Sequence, residues 1–186
     1  DVDPVVKKMI KNLGITNGPV FMQGFIKEGS VCFYDSGSRF PGSEYEISYE
    51  KICKIDLVKM LIEFALTGSI SGNYKDINKY FKLDGHYVMS LYPTIRAGNI
   101  HRINGLDEII NLENVVDFSQ RYFIGSEVLQ RNDVGQRFCA VEIVSPSIED
   151  LKRTITSVQN KLEVNNRDGS NLIYGVNSSN KCNRML

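Results

Sequence analysis

The sequence has 186 residues, of which 42% are hydrophobic, so it can bury the core of one domain or of two small ones. Its 22 basic and 22 acidic residues give a formal net charge of zero, which argues against a protein that electrostatics steers to nucleic acid or to an anionic membrane. No apolar run approaches the roughly 18 residues of a membrane-spanning helix, so we expect neither a membrane span nor a signal peptide.

The cysteines and histidines are too few and too widely spaced to indicate a metal centre or a catalytic triad. The cysteines share no CxxC spacing, so they fit neither a zinc site nor a disulfide framework. We expect reduced thiols, mostly packed in the core of a cytoplasmic protein. The residues concerned are Cys32, Cys53, Cys139 and Cys182, with His86 and His101. The chain begins with Asp1 rather than Met, so we also expect a piece of a longer protein.

Hydrophobic spacing and turn residues divide the first part of the chain into predicted elements. Aspartate and proline open a helix well, and a glycine can close it. In chain order we predict a helix from Asp3 to Gly14, strands over 19–27 and 31–35 joined by a turn at Glu28-Gly29-Ser30, an irregular stretch over 36–50 and a helix over 56–66.

A change of composition near residue 84 predicts a subdomain boundary, so we divide the chain into residues 1–83, 84–175 and a tail over 176–186. Strands are predicted near 86–92, 99–103, 114–121 and 137–144. Ser147, followed by Asp150 three residues later, predicts the start of a helix whose apolar stripe contains Leu151, Ile155, Val158 and Leu162. The tail is rich in Asn and Ser, and we expect its end to be poorly ordered. The resulting fold class is α+β.

The predicted hairpin contains the side chains that are best suited to bind a metal ion. Gln23 and Asp35 lie twelve residues apart on its two strands. If the turn is centred on Gly29, they stand directly opposite each other and share one face. Two adjacent oxygen ligands suit a hard cation such as magnesium. A two-residue turn would place them on opposite faces and remove the site.

Two further interpretations apply to the same segment. An aspartate at the end of a strand often only caps a turn, so Asp35 alone does not establish a metal site. Arg39 lies in a glycine-rich bend, where it could clamp a phosphate or a carboxylate through paired hydrogen bonds. The run Gly37-Ser-Arg-Phe-Pro-Gly42 is not a Walker A motif, because the Lys-Ser/Thr ending is missing.

The stretches GPVFMQGFIKEGSVCFYDSGSRFPG and KIDLVKMLIEFALTG resemble the carboxyl-terminal lobe of ATP-grasp enzymes. The resemblance is greatest to biotin carboxylase and to the carbamoyl phosphate synthetase large subunit. It continues through YVMSLYPTIRAGNIHRINGLDEI and GQRFCAVEIVSPSIEDLKRTITSVQNKLEV, which look like the small terminal subdomain of the carboxylase-like members. It therefore implies an antiparallel sheet with helices, followed by a small α+β subdomain.

The resemblance also implies a role for each residue that matches the family motif. In the family, a metal-binding acid or glutamine precedes a Glu-x-Asn-x-Arg motif by twelve residues. Gln23 and Asp35 match the metal ligands, and Arg39 matches the catalytic arginine, whereas Gly37 replaces the metal-binding asparagine. A side-chain ligand is thereby lost, and Asp35 reaches one methylene less far than glutamate.

The implied cofactors are ATP and Mg²⁺. Phe25 and Tyr34 match positions that line the adenine pocket; both could equally be ordinary hairpin aromatics. The lobe that covers the phosphates, with its lysine, would lie upstream of residue 1 in the same polypeptide.

Three functions follow from the resemblance. The first is a Mg-ATP-dependent ligase that joins a small carboxylate to an amine or ammonia through an acyl phosphate, with neither nucleic acid nor membrane as a partner. The second is a carbamoyl phosphate synthetase-like activity on bicarbonate, since those enzymes carry glutamine at the position of Gln23. The third is a degenerate, non-catalytic module that acts in protein interaction, which the loss of a ligand at Gly37 favours. Whether the chain belongs to an enzyme is left open, and we expect the isolated chain to be inactive.

Overall fold

A computed structural model of the chain describes residues 3–42, 45–70, 85–131 and 133–174. The fold is α+β, with helices and small antiparallel sheets, as the sequence predicts. Among the described residues, one compact unit contains 3–42 and 56–70, and a second contains 45–55, 85–131 and 133–174. The boundary predicted near residue 84 and the tail predicted over 176–186 lie outside the described residues and stay predictions.

The helices and strands of the described residues are short apart from one helix. The helices are α1 (Asp3–Asn12), α2 (Tyr45–Cys53), α3 (Leu57–Thr67), α4 (Leu106–Ile110) and α5 (Ile148–Lys161). The strands are β1 (Phe21–Lys27), β2 (Ser30–Gly37), β3 (Tyr87–Leu91), β4 (Thr94–Ile95), β5 (Gly98–Asn99), β6 (Arg102–Asn104), β7 (Val115–Gln120), β8 (Glu127–Val128), β9 (Cys139–Ser145), β10 (Glu163–Asn165) and β11 (Ile173–Tyr174). Within these ranges, no helix combines the length and apolarity that a membrane crossing requires.

The first unit consists of α1, the β1–β2 hairpin and α3. Helix α3 begins where the sequence predicts, because the Asp56 side chain accepts a hydrogen bond from the Lys59 N–H at 2.7 Å. It ends at Gly68, whose φ of 71° is the left-handed conformation that glycine adopts at low cost. Both helices predicted in this unit are therefore confirmed.

The second unit is built on a three-stranded antiparallel sheet with the order β3-β9-β7. Every residue of the central strand β9 is buried. Side chains alternate along a strand, so Val141 and Ile143 share one face, where they join the core with Ile155 and Val158 of α5. All four residues of the apolar stripe predicted for α5 are buried: Leu151, Ile155, Val158 and Leu162.

The opposite face of this sheet carries a buried acid. Glu142 is 0% exposed, and its Oε2 accepts hydrogen bonds from the Ser90 hydroxyl at 2.8 Å and from the Ser48 hydroxyl at 3.4 Å. Ser48 lies on α2, so these bonds attach α2 to the sheet. A buried carboxylate requires such donors, because desolvation of its charge is costly.

The irregular stretch predicted over 36–50 is wrong in its second half, where α2 begins at Tyr45. The apolar residues of this helix give only a weak helical pattern. The sequence of this segment alone therefore does not predict a helix. Ser48 and Cys53 are buried in the second unit, so tertiary packing stabilises the helix.

Several short elements of the second unit were also missed. The strand predicted over 99–103 divides into β5 and β6, which pair with β8 and β10 respectively. Strands of two or three residues contain too few alternations to be recognised from sequence. The three described cysteines form no disulfide; Cys53 and Cys139 are buried as predicted, whereas Cys32 is exposed. Burial raises the pKa of the Cys139 thiol to about 12, so this thiol stays protonated at neutral pH.

Candidate functional site

The hairpin turn has two residues, Glu28 and Gly29, and Lys27 pairs with Ser30. Both turn residues have positive φ, 51° for Glu28 and 77° for Gly29, which is the pattern of a type I′ turn. The prediction of a turn centred on Gly29 is therefore wrong. With this turn and a regular ladder, Gln23 and Asp35 would lie on opposite faces.

A β-bulge restores the predicted pairing of these two residues. The register shifts by one residue between Gln23 and Gly24, so that Gly24 pairs with Phe33 but Gln23 pairs with Asp35. Tyr34 is the extra residue on β2. The bulge compensates for the short turn, and Gln23 and Asp35 share one face of the hairpin.

The turn geometry leads to a stability prediction. Glutamate at a φ of 51° is strained, whereas asparagine tolerates this conformation and favours the type I′ turn. We expect Glu28→Asn to raise the free energy of unfolding of the first unit by about 0.5–1 kcal/mol. Urea unfolding of the wild type, Glu28→Asn and the control Glu28→Ala measures the effect. A variant with asparagine that is no more stable than the one with alanine would contradict the turn assignment.

Arg39 folds back onto the same end of the hairpin. One guanidinium nitrogen lies 3.4 Å from the Asp35 carboxylate, and its central carbon lies 4.7 Å above the centre of the Phe21 ring. Phe21 was not identified from the sequence, although its alternation with Gln23 and Phe25 would have placed it on the same face. The ring and the carboxylate together hold the guanidinium beside Gln23 and Asp35.

Phe25 and Tyr34 form a stacked aromatic pair, with ring centres 4.7 Å apart and ring planes inclined by 24°. As whole residues, Phe25 and Tyr34 are 67% and 60% exposed, so the stack lies at the surface of the hairpin. An adenine base can stack on its outer surface, whereas the space between the rings is closed. The predicted adenine residues are thus adjacent to each other on the hairpin that carries Gln23.

The donor atoms suit a magnesium ion that keeps several other ligands. Gln23 and Asp35 present a carboxamide oxygen and a carboxylate on one face, where Gln23 is exposed and Asp35 is half-buried. Mg²⁺ favours oxygen ligands together with water and phosphate. The described residues contain no cluster of three or more His, Cys, Asp and Glu that could hold a metal ion. Gly37 pairs with Phe21 and adds no side-chain ligand.

Comparison with known proteins relates the chain to two ligases by structure. No family model matches the sequence, and no curated protein sequence matches it. An L-amino acid ligase from Bacillus licheniformis is similar with a TM-score of 0.66 and 17% identity, over 88% of this chain and 40% of that chain. A phosphoribosylglycinamide synthetase from Anaerococcus prevotii is similar with a TM-score of 0.66 and 14% identity, over 87% of this chain and 40% of that chain.

The chain thus spans two fifths of the length of both neighbours, which are ATP-grasp ligases. At these identities the similarity concerns the fold alone. The closer resemblance to biotin carboxylase and carbamoyl phosphate synthetase stays a prediction. The described part of the chain has the fold of ATP-grasp ligases over the segment that it shares with them.

Proposed function

We propose that the chain is the carboxyl-terminal part of an ATP-grasp ligase that joins a small carboxylate to an amine or ammonia. The observation that carries this proposal is the grouping of Gln23, Asp35 and Arg39 at one end of a hairpin face, beside the Phe25–Tyr34 stack. A cation site, an arginine and an aromatic surface are what Mg-ATP requires. The ATP-grasp fold supports the same assignment.

The reaction proceeds in two displacements. A carboxylate oxygen of the substrate attacks the γ-phosphorus of ATP, and ADP leaves, which gives an acyl phosphate. The amine nitrogen then attacks the acyl carbon, phosphate leaves, and the nitrogen loses a proton. In the first displacement negative charge moves from the carboxylate to the leaving ADP, and in the second it develops on the acyl oxygen and the leaving phosphate. Fixed positive charge at the site lowers both barriers.

Arg39 supplies that charge from the protein. Its side chain is 54% exposed, with Nη2 beside Asp35 and Nη1 donating to the Phe40 carbonyl at 2.9 Å. The other N–H donors of the guanidinium would serve a phosphoryl group. The Asp35 carboxylate at 3.4 Å and the Phe21 ring keep the guanidinium on the hairpin before a ligand arrives. A donor that is already oriented loses less entropy when it binds.

Gln23 and Asp35 would hold the magnesium ion of Mg-ATP. When bound, the ion neutralises phosphate charge in the transferring group. The outer surface of the Phe25–Tyr34 stack would receive the adenine.

The whole protein would need further lobes of the same polypeptide. The neighbours are about two and a half times as long as the aligned segment, since the chain spans 40% of each. We therefore propose that the chain alone folds, binds ATP weakly and does not turn over.

Trapping with hydroxylamine tests the reaction. The protein that contains this chain together with its upstream sequence is incubated with ATP, Mg²⁺, one of a panel of carboxylates, and hydroxylamine. An acyl phosphate reacts with hydroxylamine to give a hydroxamate and phosphate, and each hydroxamate should accompany one ADP. The proposal would be contradicted if no carboxylate stimulated ATP hydrolysis and no hydroxamate formed.

The other two functions make different predictions in the same assay. A carbamoyl phosphate synthetase-like enzyme, which Gln23 favours, would hydrolyse ATP in response to bicarbonate. A non-catalytic module, which Gly37 favours, would not bind Mg-ATP and would not hydrolyse it with any of the substrates.

Gly37 offers a test by gain of function. Its φ is not in the left-handed region, and a Cβ at this position would meet only the Arg39 side chain, at 3.6 and 3.7 Å. A side chain therefore fits. We expect Gly37→Asn, which adds a carboxamide oxygen, to bind Mg²⁺ about tenfold more tightly in the presence of ATP. Calorimetric titration compares it with Gly37→Ala, which should resemble the wild type. Equal Mg²⁺ affinity in both variants would contradict the placement of the metal.

A further inference from the structure

The second unit carries a cationic surface of its own around β4, which we call the β4 face. Pro93 and Ile95 point into the protein and are buried. Side chains alternate along an extended segment, so Tyr92, Thr94 and Arg96 point the other way. The β4 face is therefore separate from the residues that form the core.

An isolated bridge residue and the neighbouring strand β11 extend the β4 face on either side of Thr94. Arg137 forms an isolated bridge with Thr94 on one side, and Tyr174 pairs with Thr94 on the other. Residues that pair directly share a face, so both side chains lie on the face of Thr94. The Thr94 hydroxyl also donates a hydrogen bond to the Tyr174 carbonyl.

Each of the two arginines is stacked on a tyrosine. The guanidinium carbon of Arg137 lies 4.1 Å from the centre of the Tyr92 ring, and that of Arg96 lies 5.3 Å from the centre of the Tyr174 ring. Stacking uses the flat surface of a guanidinium and leaves its N–H donors at the edge. Neither arginine has a carboxylate within ion-pair distance among the residues that the structure describes.

The backbone beneath these side chains is fixed from both sides. The Phe138 N–H donates to the Pro93 carbonyl at 2.8 Å, and the Arg96 N–H donates to the Leu172 carbonyl at 2.8 Å. The buried Gln136 side chain donates to the Ile95 carbonyl at 3.0 Å. The backbone beneath the two arginines is thus fixed, and only the stacking on Tyr92 and Tyr174 orients the guanidiniums, which reduces part of the entropy that binding costs.

We propose that the β4 face binds a small molecule with two separated phosphate groups, one at Arg96 and one at Arg137. An arginine fork binds phosphate through paired, charge-assisted hydrogen bonds. The two guanidiniums are stacked on different tyrosines, Tyr92 two residues before Thr94 and Tyr174 on the neighbouring strand β11, so they serve separate groups. This site is additional to the hairpin site and does not depend on the proposed ligase activity.

A matched pair of probes tests the proposal on the whole chain. Fructose 1,6-bisphosphate and fructose 6-phosphate are titrated separately, with a chelator present to keep metal from the hairpin. Amide NMR signals report the place of binding, and calorimetry reports the affinity. We expect the bisphosphate to shift the signals of Thr94 and Arg137 but not those of Gly24 and Gly37. It should bind about tenfold more tightly than the monophosphate, and less tightly at high salt.

Variants separate binding from a merely structural role of the stacked pairs. Arg96→Gln and Arg137→Gln should each reduce the affinity for the bisphosphate about tenfold, to the level of the monophosphate. Arg102→Gln removes the same charge from an exposed position on β6 and should leave the affinity unchanged. If the bisphosphate does not bind, binds no better than the monophosphate, or is weakened equally by Arg102→Gln, the proposal is wrong. Equal binding of succinate and the bisphosphate would overturn the assignment to phosphate.

Discussion

In the ligase proposed above, Arg39→Ala is expected to reduce the ATP-dependent turnover of the full-length protein about a hundredfold, because the proposed mechanism uses this donor to stabilise the transferring phosphoryl group. Its effect on stability should be small. The side chains of Arg39 and Asp35 are 54% and 42% exposed, and an exposed ion pair contributes about 0–1 kcal/mol. The contact with Phe21 adds a similar small amount.

Turnover and melting temperature are measured together for the wild type, Arg39→Ala and a control. Arg167→Ala is a matched control, because it removes the same side chain from an exposed position in the second unit. We expect the control to match the wild type in both measurements. Unchanged turnover in Arg39→Ala would show that the arginine is not catalytic, and a large fall in melting temperature would show that its role is structural.

Ile155→Ala is expected to lower the free energy of unfolding of the second unit by about 2–5 kcal/mol. Ile155 is 0% exposed and belongs to the core where α5 packs against the sheet. Truncation there removes buried apolar surface and leaves a cavity. Denaturant unfolding gives the value.

Asn160→Ala provides the control on the same helix. Asn160 is exposed, so its replacement should change the free energy of unfolding by less than about 0.5 kcal/mol. A loss of under 1 kcal/mol for Ile155→Ala would contradict the packing of α5 on the sheet.

Helix α5 was predictable because its determinants are local. Ser147 accepts a hydrogen bond from the Asp150 N–H at 3.0 Å, and the apolar residues recur at helical spacing up to Leu162. Helix α2 was not predictable in the same way. Ser48, a polar residue, is one of its buried positions, and the reason is its hydrogen bond to Glu142, 94 residues later in the chain. Contacts of that range are not visible in local periodicity.

The hairpin shows how two deviations can cancel. Counting residues placed Gln23 opposite Asp35 on the assumption of a turn centred on Gly29. The turn is one residue shorter, and the bulge at Tyr34 restores the pairing. The turn has no strong local signal, because Glu28 is an unusual residue for a type I′ turn. The contact of Arg39 with Phe21 was missed because it requires the bend after β2 to fold back on β1.

The proposed ligase requires that the hairpin face of Gln23, Asp35 and Arg39 binds metal-ATP. The most direct test replaces Mg²⁺ by paramagnetic Mn²⁺ and follows amide NMR signals of the whole chain as Mn-ATP is added. We expect the signals of Gln23, Asp35 and Gly37 to broaden first, and Asp35→Asn to abolish this selectivity. Broadening that is uniform, that is centred elsewhere in the chain, or that persists unchanged in Asp35→Asn would contradict binding at this face.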